Sequence, residues 1–123
     1  MELKTYFFDT YALMELVLLN KDYLRFDNSG FITTRLNLME LHYGILRKYG
    51  EETADRLIES LMAYTSTVPK DVVVEANKFK YGHRKKRLSY VDCIGYIMAK
   101  RTGIKFLTGD KEFEGMENVE FVK

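Results

Sequence analysis

Two apolar runs in this chain end on an aspartate: Thr5-Tyr6-Phe7-Phe8 leads into Asp9, and Ile104-Lys105-Phe106-Leu107-Thr108-Gly109 leads into Asp110. Runs of β-branched and aromatic residues read as buried strands. In an open α/β sheet, ligands bind in the crevice beyond the carboxyl ends of the strands. Either acid alone is equally a good helix N-cap, but two delivered in parallel point to a shared cation site. Asp92 and Glu40 are the further candidates. Asp92 follows Ser89 in a Ser-x-x-Asp pattern that fits a capping box and complements a helix dipole. It also shares a stripe of small residues with Gly95 and Ala99, which lets its helix lie close to its neighbour and carries Asp92 toward the sheet. Val91, Ile94 and Met98 point elsewhere. Glu40 shares the polar side of its helix with Asn37 and Arg47, as a surface glutamate would, while Gly44 leaves space beside it.

Carboxylates brought together repel, raise each other's pKa and destabilise the fold, and a divalent cation removes that penalty. An all-oxygen set favours Mg²⁺ or Mn²⁺ over Zn²⁺. His42 and His83 are far apart and neither sits in a metal-ligand spacing. Such ions activate water against a phosphodiester and steady the leaving oxygen. The net charge is only +1, but His83-Arg84-Lys85-Lys86-Arg87 is a concentrated basic run, whereas acids dominate residues 112–120. The basic run suits a nucleic-acid backbone; a solvated loop would have the same composition.

The elements that must position these residues follow from periodicity. Strands are expected at residues 3–8, 31–33, 66–68, 105–108 and 119–122. Helices are expected at 12–19, at 34–49 stopped by Gly50, from Glu51 onward, at 71–79 and at 89–102 ended by Gly103, with short turns at 22–26 and 111–113. Val72-Val73-Val74 would also suit a strand, and residues 81–87 form a loop. On the long helix, Leu36, Met39, Tyr43 and Leu46 make one apolar stripe and Leu38, Leu41 and Ile45 another. Strands separated by helices favour right-handed crossovers, so the expected fold is a three-layer α/β/α sandwich with a mostly parallel sheet of about five strands.

The 123 residues, 46% of them apolar, suit a single domain over the whole chain, with one proline and no repeats. The single cysteine, Cys93, excludes an intramolecular disulfide and fits a reducing cytoplasm; no base lies near it, so it is a packing residue. The N-terminus lacks the basic and apolar regions of a signal peptide, and its longest apolar run, 12–19, is broken by Glu15 and too short to span a bilayer. Among the aromatics (14%), Tyr6, Phe7, Phe8, Tyr43 and Phe106 are assigned to core or interface, and Tyr11 to packing rather than base stacking.

Four motifs together resemble the PIN domain, in particular the VapC-type toxins of type II toxin–antitoxin pairs. They are Phe8-Asp9-Thr10, Met39-Glu40-Leu41, Leu88-Ser89-Tyr90-Val91-Asp92 and Phe106-Leu107-Thr108-Gly109-Asp110-Lys111-Glu112-Phe113. The resemblance implies a metal-dependent endoribonuclease with catalytic acids Asp9, Glu40, Asp92 and Asp110 holding one or two Mg²⁺ or Mn²⁺ ions. It implies an RNA substrate, a cognate antitoxin that blocks the site, and a homodimer. Thr10, Ser89 and Thr108 would orient carboxylates or a ligand water. Glu112 stands where many relatives carry Asp, and its longer side chain would reach a metal-bound water. Arg84, Lys85, Lys86 and Arg87 would contact the RNA backbone. The competing expectation is a non-catalytic, metal-stabilised RNA-binding or interaction module of the same fold. A receiver domain is excluded because Val68 is followed by Pro69 and Lys70 where a phosphorylatable acid is needed. A haloacid-dehalogenase phosphatase is excluded because Tyr11 stands where it requires a second Asp.

Overall fold

The computed structural model describes residues 3–123. The expectation of no leader segment rests partly on Met1 and Glu2, which lie outside the described residues. Four strands, β1 (Thr5–Phe8), β2 (Gly30–Ile32), β3 (Lys105–Thr108) and β4 (Val119–Phe121), form one sheet in the order β2-β1-β3-β4. Every pairing is parallel. The helices are α1 (Thr10–Val17), α2 (Arg35–Tyr49), α3 (Glu51–Leu61), α4 (Lys70–Gly82) and α5 (Tyr90–Thr102).

The strand residues sort by alternation, as the pleat requires. Tyr6, Phe8 and Leu107 face one side and pack with Leu13, Leu38, Leu41 and Ile45 of α1 and α2. Phe7 and Phe106 face the other and pack with Val72 and Ala76 of α4 and Tyr96, Ile97 and Ala99 of α5. Phe7 is paired with Phe106 in register, and their rings stack at 5.7 Å. A central strand buried on both faces reads as a continuous apolar run, which is why β1 and β3 were visible in the sequence. The three layers are those expected.

The fifth strand is not formed. Residues 66–68 contribute no ladder; what remains is a single parallel bridge from Thr33 to Thr65 at the edge of β2. Ser66 N–H reaches the Thr33 carbonyl at 2.9 Å, and the chain then leaves the sheet because Pro69, without an N–H, stands at the N-terminus of α4. The triple valine is helical: Val72 is buried while Val73 and Val74 are exposed. Because α4 runs on to Gly82, the basic loop begins later than expected. On α2 the inner stripe is Leu38, Leu41 and Ile45, and Met39, Tyr43 and Leu46 face outward.

Candidate functional site

Asp9 stands directly after β1 and caps α1, its Oδ1 accepting the Ala12 N–H at 2.8 Å. Asp110 follows β3 by one glycine, and its Oδ1 accepts the Glu112 N–H at 3.0 Å. Phe8 is in register with Leu107, and the Asp9 N–H bonds the Leu107 carbonyl at 3.3 Å. The two acids therefore leave the sheet from neighbouring strands at the same end. Asp92 lies in the first turn of α5 in a full capping box: its Oδ2 accepts the Ser89 N–H at 2.9 Å, and its own N–H bonds Ser89 Oγ at 3.0 Å. Its helix comes close to the sheet through Gly95, where an added Cβ would lie 2.8 Å from the Phe7 ring.

Glu40 arrives from α2. Thr10 Oγ1 donates to Glu40 Oε1 at 2.6 Å, tying the second helix to the residue next to Asp9. Thr10 in turn accepts Asn37 Nδ2 at 3.2 Å, and Asn37 Oδ1 accepts the Thr34 hydroxyl at 2.7 Å. Asn37 and Thr34 are buried. These two were not singled out from sequence, although Asn37 shares the polar side of α2 with Glu40, one turn earlier.

The electrostatics bring the four acids into one neighbourhood. Burial pushes the Asp9 carboxyl up to about 7; the Thr108 side chain and the Ala12 N–H pull it down, while Asp92 and Asp110 add to the rise. Burial likewise raises Asp92, its bonds to Ser89 hold it back, and Asp110 and Glu40 push it further up. The donor set suits a hard divalent cation: it is all oxygen, mutually repulsive, and includes a carboxyl that burial keeps largely protonated just below neutrality. Among the described residues, no three such side chains already close into a metal cage; the aspartates are held by their helix-capping bonds.

Glu112, expected to reach a metal-bound water, engages the basic loop through its side chain. Its Oε1 accepts the Arg87 N–H at 2.9 Å and its carbonyl accepts Lys86 Nζ at 2.9 Å, strapping the basic loop to the Asp110 turn. Arg84, Lys85, Lys86 and Arg87 form no ion pair among the described residues. Glu112→Ala should speed tryptic cutting of that loop roughly fivefold, the worth of one hydrogen bond, with Glu112→Gln nearly silent because it keeps the acceptor. Equal cutting rates for Ala and wild type would remove the strap. Cys93 is buried, and burial pushes its thiol up to about 11, as expected of an inert packing residue.

The family model described as PIN domain matches residues 6–119. Among solved structures, the chain is similar to VapC20 of Mycobacterium tuberculosis, described as a sarcin-ricin-loop-cleaving toxin. The TM-score is 0.75 at 19% identity, covering 94% of this chain and 98% of that one. A toxin–antitoxin complex from Klebsiella pneumoniae gives 0.75 at 16% identity, covering 94% and 95%. DNA-bound VapBC from Salmonella typhimurium gives 0.73 at 17% identity, covering 98% of each. Among curated proteins none matches the chain in sequence.

Proposed function

The chain belongs to the PIN domain family, and from that premise we propose that it is a Mg²⁺- or Mn²⁺-dependent endoribonuclease, the toxin of a toxin–antitoxin pair. The observation that carries this reading is the convergence of Asp9, Asp92, Asp110 and Glu40, in which Asp9 feels Asp92 and Asp110 while Asp92 feels Asp110 and Glu40. Asp9, Asp92 and Asp110 would hold one or two ions, with Glu40 completing the set. Bound there, a divalent cation supplies the Lewis acidity that makes water nucleophilic toward phosphorus and steadies the departing 3′-oxygen. The chain's own residues do the positioning. Thr10 and Asn37 fix Glu40, Ser89 fixes Asp92, and the Thr108 hydroxyl accepts the Asp110 N–H at 3.0 Å. Arg84, Lys85, Lys86 and Arg87 grip the RNA backbone beside them, a contact that adds affinity more than sequence choice.

The outward stripe of α2 supports a protein partner. Met39 and Tyr43 are 57% and 61% exposed, and large apolar groups gathered on one face mark a surface that another chain covers. An inhibiting antitoxin and a second copy of the toxin are the partners proposed. A cytoplasmic location is proposed, supported by the lone cysteine; no helix among the described residues is long and apolar enough to cross a membrane.

The test is cleavage of a structured RNA pool with Mn²⁺ or Mg²⁺, with EDTA, and by Asp92→Asn. Cleavage that disappears in both controls is expected, leaving 5′-phosphate ends. No cleavage by metal-loaded protein free of antitoxin would favour the non-catalytic binding module. Activity surviving in Asp92→Asn would put the site elsewhere.

A further inference from the structure

The last turns of α4 and the first residue of α5 enclose a surface cleft of about 420 Å³ lined by Asn77, Lys80, Tyr81, Arg84 and Tyr90. Its two tyrosines are 71% and 66% exposed and take no part in either core. The packing work of this helix end falls to Phe79, whose ring stacks on Tyr96 at 4.9 Å. Each tyrosine instead carries a cation on its ring: Arg84 Cζ lies 4.6 Å from the Tyr81 centroid and Lys80 Nζ lies 5.0 Å from that of Tyr90. Both cations are fixed. Lys80 Nζ donates to the Leu88 carbonyl at 2.8 Å, and Arg84 Nη1 donates to the Tyr81 carbonyl at 3.0 Å. No acid lines the cleft among the described residues. Exposed aromatic faces beside positive charges are what an unpaired nucleobase and its phosphate recognise, by stacking on one and pairing with the other.

In sequence, the basic residues run from this cleft toward the acid cluster. The basic residues 84–87 begin at the cleft with Arg84. They end at the Asp110 turn, where Lys86 and Arg87 are strapped by Glu112. Tyr90 and Asp92 open the same helix. Two residues apart, they lie about 3 Å along the axis and roughly 200° around it. Tyr90 and Asp92 thus stand on opposite sides of the start of α5, and the basic residues connect the Asp110 turn to the cleft that carries the rings.

We propose that Tyr81 and Tyr90 form a stacking subsite for an unpaired base of the substrate RNA, at the end of the basic residues 84–87 away from the acid cluster. This rests on the nuclease reading for its substrate, but its test does not require cleavage. The measurement is binding of short single-stranded oligouridine in EDTA, by fluorescence anisotropy, to wild type, Tyr81→Ala, Tyr90→Ala, both together, and the corresponding Phe variants. The alanine variants should raise Kd roughly tenfold or more each, the phenylalanine variants should bind like wild type, and the salt dependence should be unchanged because no phosphate contact is lost. An oligonucleotide with abasic positions should erase the difference between wild type and Tyr90→Ala. Thermal melts will show the exposed rings to be dispensable for folding. Alanine variants that bind as tightly as wild type overturn the proposal and leave this face to a protein partner, as does a wild type that binds no RNA. Tyrosine-dependent binding together with no cleavage of the structured RNA pool in Mg²⁺ or Mn²⁺ would sink the nuclease reading while sustaining the subsite.

Discussion

Asp9→Asn will melt at a higher temperature than the wild type, both freed of metal, and will cut RNA at least about a hundredfold more slowly. The two effects share one cause. Asp9 is 3% exposed, and its carboxyl is carried from 3.8 to about 7, so holding it ionised in the folded chain costs on the order of 4 kcal/mol. Asparagine keeps an oxygen for the Ala12 N–H and carries no charge to desolvate. The pH dependence follows in sign. Below about pH 4 the group is protonated in both folded and unfolded chains. Between there and about 7 the unfolded chain gives up the proton that the folded chain retains, so stability falls as pH rises and levels off above. Metal-free wild type should therefore melt higher at pH 5 than at pH 8, and Asp9→Asn should lack that component. At pH 8 the variant should melt roughly 5–15 °C above wild type. Added Mn²⁺ should lift the wild type alone, as expected for a ligand that binds only the folded state. Calorimetric melts in EDTA and in Mn²⁺ decide the matter; a variant no more stable than wild type at pH 8 would mean that Asp9 is not strained by burial.

Gly109→Ala will be among the most damaging small substitutions in the chain, although it adds one methyl group. A Cβ there would lie 2.5 Å from the Val122 carbonyl oxygen and run into the Tyr11 ring. The carbonyl cannot retreat, because the Tyr23 hydroxyl donates to it and the Val122 N–H is bonded to the Thr108 carbonyl at 2.9 Å. A loss of about 3 kcal/mol is expected, with displacement of Asp110 and loss of cleavage. The control is Gly44→Ala. Its Cβ would meet only the terminal methyl of Met14 at 2.8 Å, the movable end of a flexible side chain. Exchanging glycine for alanine inside α2 then gains up to about 1 kcal/mol of helix propensity. Denaturant titration of both variants should give shifts of opposite sign; similar losses at the two positions would mean that space behind Asp110 is not what demands glycine.

These contrasts track what could be read from residues alone. Asp9 and Asp110 were legible because a doubly buried strand is a continuous apolar run and an acid at its end stands out. Asp92 was half legible, since the capping box that reveals its position also supplies a sufficient reason for it. Glu40 was not legible from periodicity: α2 carries two apolar stripes, and which one is inner depends on the sheet it meets. The family resemblance weighed Glu40 above a surface glutamate, and in the fold the Thr10 hydroxyl ties it to the residue beside Asp9. Residues 66–68 differ from the expected strand because a Ser-Thr-Val run says nothing about whether a partner strand is long enough to continue the ladder; β2 is three residues long and Pro69 ends the opportunity. Tyr81 and Tyr90 were invisible for the opposite reason, since an aromatic in a sequence is counted as core until burial is known.

The pairing of β1 with β3 joins Phe7 to Phe106 across most of the chain. A ribosome making this chain releases Asp9 and Glu40 well before Asp110, and until β3 emerges β1 lacks one of its two neighbours in the sheet. On the nuclease reading proposed above, a polypeptide that ends before β3 lacks Asp110 and the strand that seats it beside Asp9, and would not cut RNA. On that reading the order of synthesis acts as a safety catch, released only once β3 has been made.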